Sequence, residues 1–258
     1  MTQRYPQKEF DMANWNDPQP PRPGFGASPS ADGRTADRAG YDMGLRRHML
    51  SIYNYMASGV LLTGVVAMLM ARSGLVLTLM GTPLRWLFIL SPLAIVMAMS
   101  FGRNRFGAGA LQAMFWAFAG LMGVSMSTIF LVYTEESIAL TFFATAGAFA
   151  GLSLVGYTTK KDLSAMGAFM TMGLIGIIIA MVINLFVQSS AMSMAISVLG
   201  VLIFAGLTAW DTQRLKQEYY YLAGTDFAGK AVILGALSLY LDFINMFQFL
   251  LSFLGSRE

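Results

Sequence analysis

The chain has 258 residues, of which 56% are hydrophobic and 12% charged, and it carries a net charge of +3. A soluble domain of this length cannot hide so much apolar surface. Apolar runs of roughly 20 residues, repeated along the chain, define a polytopic all-α membrane protein and exclude the short alternating segments of a membrane β-barrel. No cysteine is present and His48 is the only histidine, which excludes disulfides, thiol nucleophiles, zinc-thiolate sites and a histidine metal cluster, and leaves His48 as the one imidazole for a Ser-His-Asp triad, which is not expected. Neither an enzyme nor a tightly bound cofactor is expected.

Residues 1–42 form a different polymer from the rest. Six of the eight prolines fall here (Pro6, Pro18, Pro20, Pro21, Pro23 and Pro29), among Gly, Ser, Asp and Arg. Such a segment cannot offset its ordering entropy by burial, so a disordered tail is expected, with the membrane domain over 45–258. No basic stretch leads into an early apolar run, so the first membrane helix is expected to act as an uncleaved insertion signal.

Seven apolar stretches follow: Met49 to Ala71, Leu84 to Phe101, Ala108 to Tyr133, Ile138 to Tyr157, Met166 to Val187, Ala191 to Trp210 and Ala231 to Leu254. Each approaches the length that crosses about 30 Å of hydrocarbon. The second contains Pro92, where a kink is expected. Glycines inside the helices (Gly59 and Gly64, Gly120 and Gly123, Gly147 and Gly151, Gly173 and Gly176) read as close-packing positions.

Arg46, Arg47, Arg103, Arg105, Lys160, Lys161, Arg214, Lys216 and Lys230 fall at the tail end and in the loops on its side. Arg72, Arg85 and Arg257 fall on the other. By the positive-inside rule the N-terminus is cytoplasmic and, after seven crossings, the C-terminus outside.

The last hairpin carries one carboxylate in each arm, Asp211 and Asp242. Asp211 lies fifteen residues before Asp226 in the turn and Asp242 sixteen after it, so in an antiparallel helix pair they sit at nearly one height. An ionised Asp in hydrocarbon costs at least ~2.5 kcal/mol, so something must offset it. Two carboxylates within hydrogen-bonding distance can hold one proton near neutral pH, which makes a proton switch. Doubly ionised, they attract a cation. Calcium takes about 6 to 8 oxygen ligands, so two carboxylates bind it weakly, as suits passage. Asn245, one turn from Asp242, shares its face. The alternative for Asp211 is an interfacial residue paired with Arg214 at i+3. Asp211 also reads as shallower than Asp242, unless the sixth helix continues through Tyr219-Tyr220-Tyr221. Asp162 in the loop KKDLS is placed to cap the fifth helix.

LSLVGYTTKKDLSAMG (152–167), GLTAWDTQRLK (206–216) and GALSLYLDFINMFQFLL (235–251) resemble the hallmark segments of the transmembrane Bax inhibitor motif (Bax inhibitor-1) family, and most closely its bacterial inner-membrane members. The resemblance implies a seven-helix fold with the seventh helix at its centre. It also implies a pH-sensitive calcium leak controlled by two aspartates, matched here by Asp211 and Asp242, with calcium as the permeant ion. An arginine after the second helix would lock onto the pair in the closed state. Arg103 aligns with it, with Arg105 and Arg214 as alternatives. The resemblance further implies partners among membrane proteins, such as a membrane-bound AAA protease in bacteria or death-pathway proteins in animals. A non-transporting adaptor for such a complex is therefore the alternative reading.

Overall fold

The computed structural model describes residues 31–83 and 85–256, with the backbone alone for residues 31–42, Met80 and Ile89. The expected disordered tail lies outside this range up to residue 30, as does Arg257 at the other end; from Ala31 the backbone is helical. Gly44–Glu258 forms one compact unit, which holds all seven apolar stretches.

The described chain is all-α. Its helices are α1 (Ala31–Arg72), the short α2 (Leu75–Met80), α3 (Arg85–Gly102), α4 (Ala108–Met126) continued by a 3-10 turn (Ser127–Leu131), α5 (Glu135–Thr158), α6 (Ser164–Val187), α7 (Ser190–Leu222) and α8 (Ala228–Leu254). Seven of them, all but α2, are long and apolar enough to cross a membrane. The seven apolar stretches thus each become one helix. The sixth outruns its expected end: α7 does not stop at Trp210 but runs unbroken through the three tyrosines to Leu222. The residues beyond Trp210 are polar because that part of the helix has outrun the apolar span.

Helix α8 is the core of the bundle. In its apolar stretch 61% of residues are buried, against 33% or less in every other span. Helices α4, α5 and α7 pack around it, and α1 reaches it through Thr63, whose hydroxyl lies 2.6 Å from Tyr240 Oη. Phe115 and Phe118 of α4 meet the fully buried Tyr240 ring edge-on at 6.2 and 5.2 Å. In lipid, where burying Leu gains little, such aromatic and hydroxyl contacts specify which faces meet. Helix α6 is the contrast: only 6% of its apolar stretch is buried, and most of its surface faces outward.

Pro92 lies inside α3 and has no N–H for the Phe88 carbonyl one turn back. Ser125 of α4 donates to that carbonyl instead, at 2.7 Å. The interruption in one helix thus becomes a link to its neighbour.

The two ends are distinct. At one, Lys216 Nζ donates to Tyr157 O at 2.8 Å, and Gln213 Nε2 to Lys161 O at 2.8 Å. Lys230 Nζ lies 3.5 Å from Arg103 O at the same end. The loops assigned to one side by their charge do gather there. Asp162 Oδ1 accepts from Ser164 N and Oγ at 2.9 and 2.6 Å, fastening the start of α6. Those bonds hold the Asp162 carboxyl below its usual range. At the opposite end, Thr134 N donates to Ser256 O at 3.2 Å, and Arg72 lies 3.7 Å from Glu135.

Candidate functional site

The unbroken α7 makes the acid pair possible. Because it continues past Trp210, Asp211 lies within a packed helix rather than at its frayed end. Asp211 and Asp242 are each 5% exposed, and both line the same cavity between α7 and α8. The hairpin register read from the turn is therefore the register that forms.

Donors around the pair are few. Ser238, one turn before Asp242 on α8, donates a very short hydrogen bond to Asp211 Oδ2 and accepts one from Arg214 Nη2 at 3.0 Å. Arg214 Nη2 also lies 3.0 Å from Asp211 Oδ1, but that approach is not aligned as a hydrogen bond. Asp211 Oδ1 and Asp242 Oδ2 are therefore both buried acceptors with no donor among the described residues. A buried acceptor without a donor is costly. A neutral carboxyl donates where a carboxylate only accepts, so one proton placed on the pair would supply the missing donor.

Arg103, which the resemblance sets against the pair in the closed state, is not paired with it in this structure. Among the described residues no ion pair joins Arg103 or Arg105 to either aspartate, and both arginines are exposed. The cation beside the pair here is Arg214, which lies three residues after Asp211 on the same face of α7. Its guanidinium is braced over the Trp210 ring at 4.8 Å. The local i+3 pair, set out as an alternative for Asp211, coexists with burial beside Asp242. The Arg214 side chain is 42% exposed, so water screens the pair and it is held by about 1 kcal/mol or less.

The pair lines a cavity of about 920 Å³ between α6, α7 and α8. Asn245 is on its wall with Asp211 and Asp242. Among the described residues no three His, Cys, Asp or Glu side chains cluster, so the pair offers a cation two carboxylates and whatever neutral oxygens adjoin them. Two partners escaped the sequence reading. Ser238 was discoverable as the residue four before Asp242, but serine is common in membrane helices and raises no alarm. Gln213 accepts from Leu163 N and donates to Lys161 O, both at 2.8 Å. It fixes the α5–α6 loop against α7 two residues from Asp211.

Residues 45–258 match the family model described as Inhibitor of apoptosis-promoting Bax1. An uncharacterized protein of Rickettsia prowazekii (strain Madrid E) is 46% identical over 226 residues, covering 87% of this chain and 95% of its own. Inner membrane protein YbhL of Escherichia coli (strain K12) is 42% identical over 234 residues, covering 89% and 98%. An uncharacterized membrane protein of Streptococcus pyogenes serotype M3 is 36% identical over 220 residues, covering 84% and 96%.

Proposed function

We propose that this chain, which belongs to the Bax inhibitor family, is a pH-sensitive calcium leak pathway gated by Asp211 and Asp242. The observation that carries the reading is the pair itself: two buried carboxyls lining one cavity, each with an oxygen that lacks a hydrogen-bond donor. Two carboxylates in one buried site cannot both ionise without strong mutual repulsion. Protonated once, the pair is compact and Asp211 stays with Arg214 and Ser238. Doubly ionised, its carboxylates repel one another and draw in a divalent cation. Arg214 is weakly held, and the entering divalent cation, which repels its guanidinium and competes for the same carboxylates, displaces it. Helix α8 would then shift between two packings, and calcium would pass between the carboxylates.

The inner membrane is the proposed location, by likeness to the Escherichia coli relative. The basic end faces the cytoplasm and the C-terminus lies outside.

Calcium entry into liposomes carrying the purified protein tests the reading. Wild-type flux is expected to vary with pH, and Asp211→Asn and Asp242→Asn to abolish that variation. Arg214→Ala is expected to raise the flux, and to raise it more than Arg103→Ala does. Flux in both aspartate variants that still varies with pH as in the wild type would overturn the gate. No flux at any pH in the wild type would instead favour the non-transporting adaptor.

A further inference from the structure

Apart from Lys230 in its first turn and Tyr240, which faces α4, helix α8 carries five polar residues, Ser238, Asp242, Asn245, Gln248 and Ser252. Their spacing of four, three, three and four places them in one stripe along the helix. All five line the cavity that holds the acid pair. Resting on the leak reading, we infer that this stripe is the ion's route: the pathway runs off the bundle axis, between α6, α7 and α8.

Length supports it. At 1.5 Å per residue the stripe extends about 21 Å. On the facing helix α7, the same cavity is lined from Ser193 to Arg214, a rise of about 31 Å, which matches the hydrocarbon thickness of a bilayer. Its volume of about 920 Å³ has room for roughly 30 waters at ~30 Å³ each.

A second cavity of about 550 Å³ continues toward the basic end, where Arg103 and Glu218 line it. The two cavities share three lining residues: Arg214, Ser238 and Leu241. Arg214 thus stands between a vestibule and the long cavity, in contact with the aspartate it neutralises. Moving its side chain would join the two.

The chemistry of the lining fits a hard cation. Beyond Arg214 it presents no positive charge, and its polar groups are neutral oxygens and amides in addition to the two carboxylates. Ser252 accepts from Ser197 at 2.9 Å, and Asn245 Nδ2 donates back to Leu241 O at 2.8 Å. The Gln248 amide has no hydrogen-bond partner among the described residues and is left for water or an ion. The opposite wall, from Leu174 to Val182 of α6, is apolar. An acyl chain entering from the bilayer is therefore the competing occupant.

The absence of cysteine makes the test direct. Gln248→Cys, Ser252→Cys and the outward-facing control Leu202→Cys (59% exposed) each introduce the chain's sole thiol. The full-length variants, in liposomes, are treated with a cationic, water-soluble methanethiosulfonate reagent. A thiol in apolar surroundings is less ionised, so the two stripe positions are expected to react at least about tenfold faster than the control. Modification there is expected to cut calcium flux several-fold. Reaction at both stripe positions as slow as at Leu202→Cys would overturn the inference and assign the cavity to lipid. Persistent calcium flux after complete modification would place the route elsewhere while leaving the leak intact. Absence of wild-type flux would overturn the leak reading, and the labelling rates would still decide whether the stripe is wet.

Discussion

Thr63 has one hydroxyl proton, and the Ala119 carbonyl takes it at 2.8 Å. The 2.6 Å contact with Tyr240 must therefore have the tyrosine as donor. From this the two obvious variants separate. Tyr240→Phe removes one donor and leaves Thr63 bonded to Ala119, at a cost near the ~0.6 kcal/mol average for interhelical hydrogen bonds in a bilayer. Thr63→Val leaves the buried phenol without its acceptor, while the Ala119 carbonyl keeps its bond within α4, and should cost about 1–3 kcal/mol. Unfolding from bicelles or mixed micelles measures both; equal losses would mean that the donor has been misassigned. Asp242 was legible in the sequence because a carboxylate in an apolar run is expensive and needs a reason. Asp211 was legible only through its distance from the turn. Arg214 stood behind Arg103 as counter-charge, because a family pattern pointed to another helix while the nearer partner looked like a commonplace surface pair.

At the level of helices, the Pro92–Ser125 link predicts a compensation. Ser125→Ala leaves the Phe88 carbonyl without its 2.7 Å donor and should cost about 1–2 kcal/mol. Combined with Pro92→Ala, which restores an N–H within α3, most of that loss should return. A double-mutant cycle that is simply additive would show that the two residues are not coupled. The glycines tell a mixed story. Gly147 and Gly151, expected at a close contact, have no neighbour within 4 Å of the Cβ each lacks. Gly156, outside the glycine pairs read from the sequence, has the Ala209 carbonyl oxygen pressed against that position. Spacing finds small residues but does not say which face meets another helix. Gly156→Ala must push α5 from α7, at about 1–3 kcal/mol, and it does so two residues before Asp211. It should therefore alter the pH response of calcium flux without touching the acid pair; an unchanged response would separate that packing from the gate.

For the whole molecule, composition and run length were enough to give seven membrane helices, because the bilayer fixes the length of each. The grouping of basic loops at one end was legible for a similar reason: charges are excluded from the core and must emerge with the loops. The central place of α8 was not legible from its apolarity, which α5, α6 and α7 also have. Only the resemblance implied it; physically it follows from the large side chains that α8 presents toward α4 and α1 and the polar stripe toward α6 and α7. Topology is testable on intact cells with impermeant thiol reagents. Ser256→Cys should react from outside, and Lys160→Cys only after permeabilisation; the reverse pattern would invert the orientation.

Helix α7 has 33 residues, about 50 Å of continuous rod against about 30 Å of hydrocarbon. Beyond Gly206 it contains neither glycine nor proline to act as a hinge. Its far part, steadied by Tyr219 against the His48 ring at 5.1 Å, is therefore a lever arm whose fulcrum lies near Arg214. A protein that grips the tip around Tyr221, 83% exposed, could apply torque to the carboxylates about 15 Å away without entering the membrane. An antibody fragment against residues 219–226 should accordingly change calcium flux in liposomes that present this end. The two readings, adaptor and leak, would then be the two ends of one mechanical part.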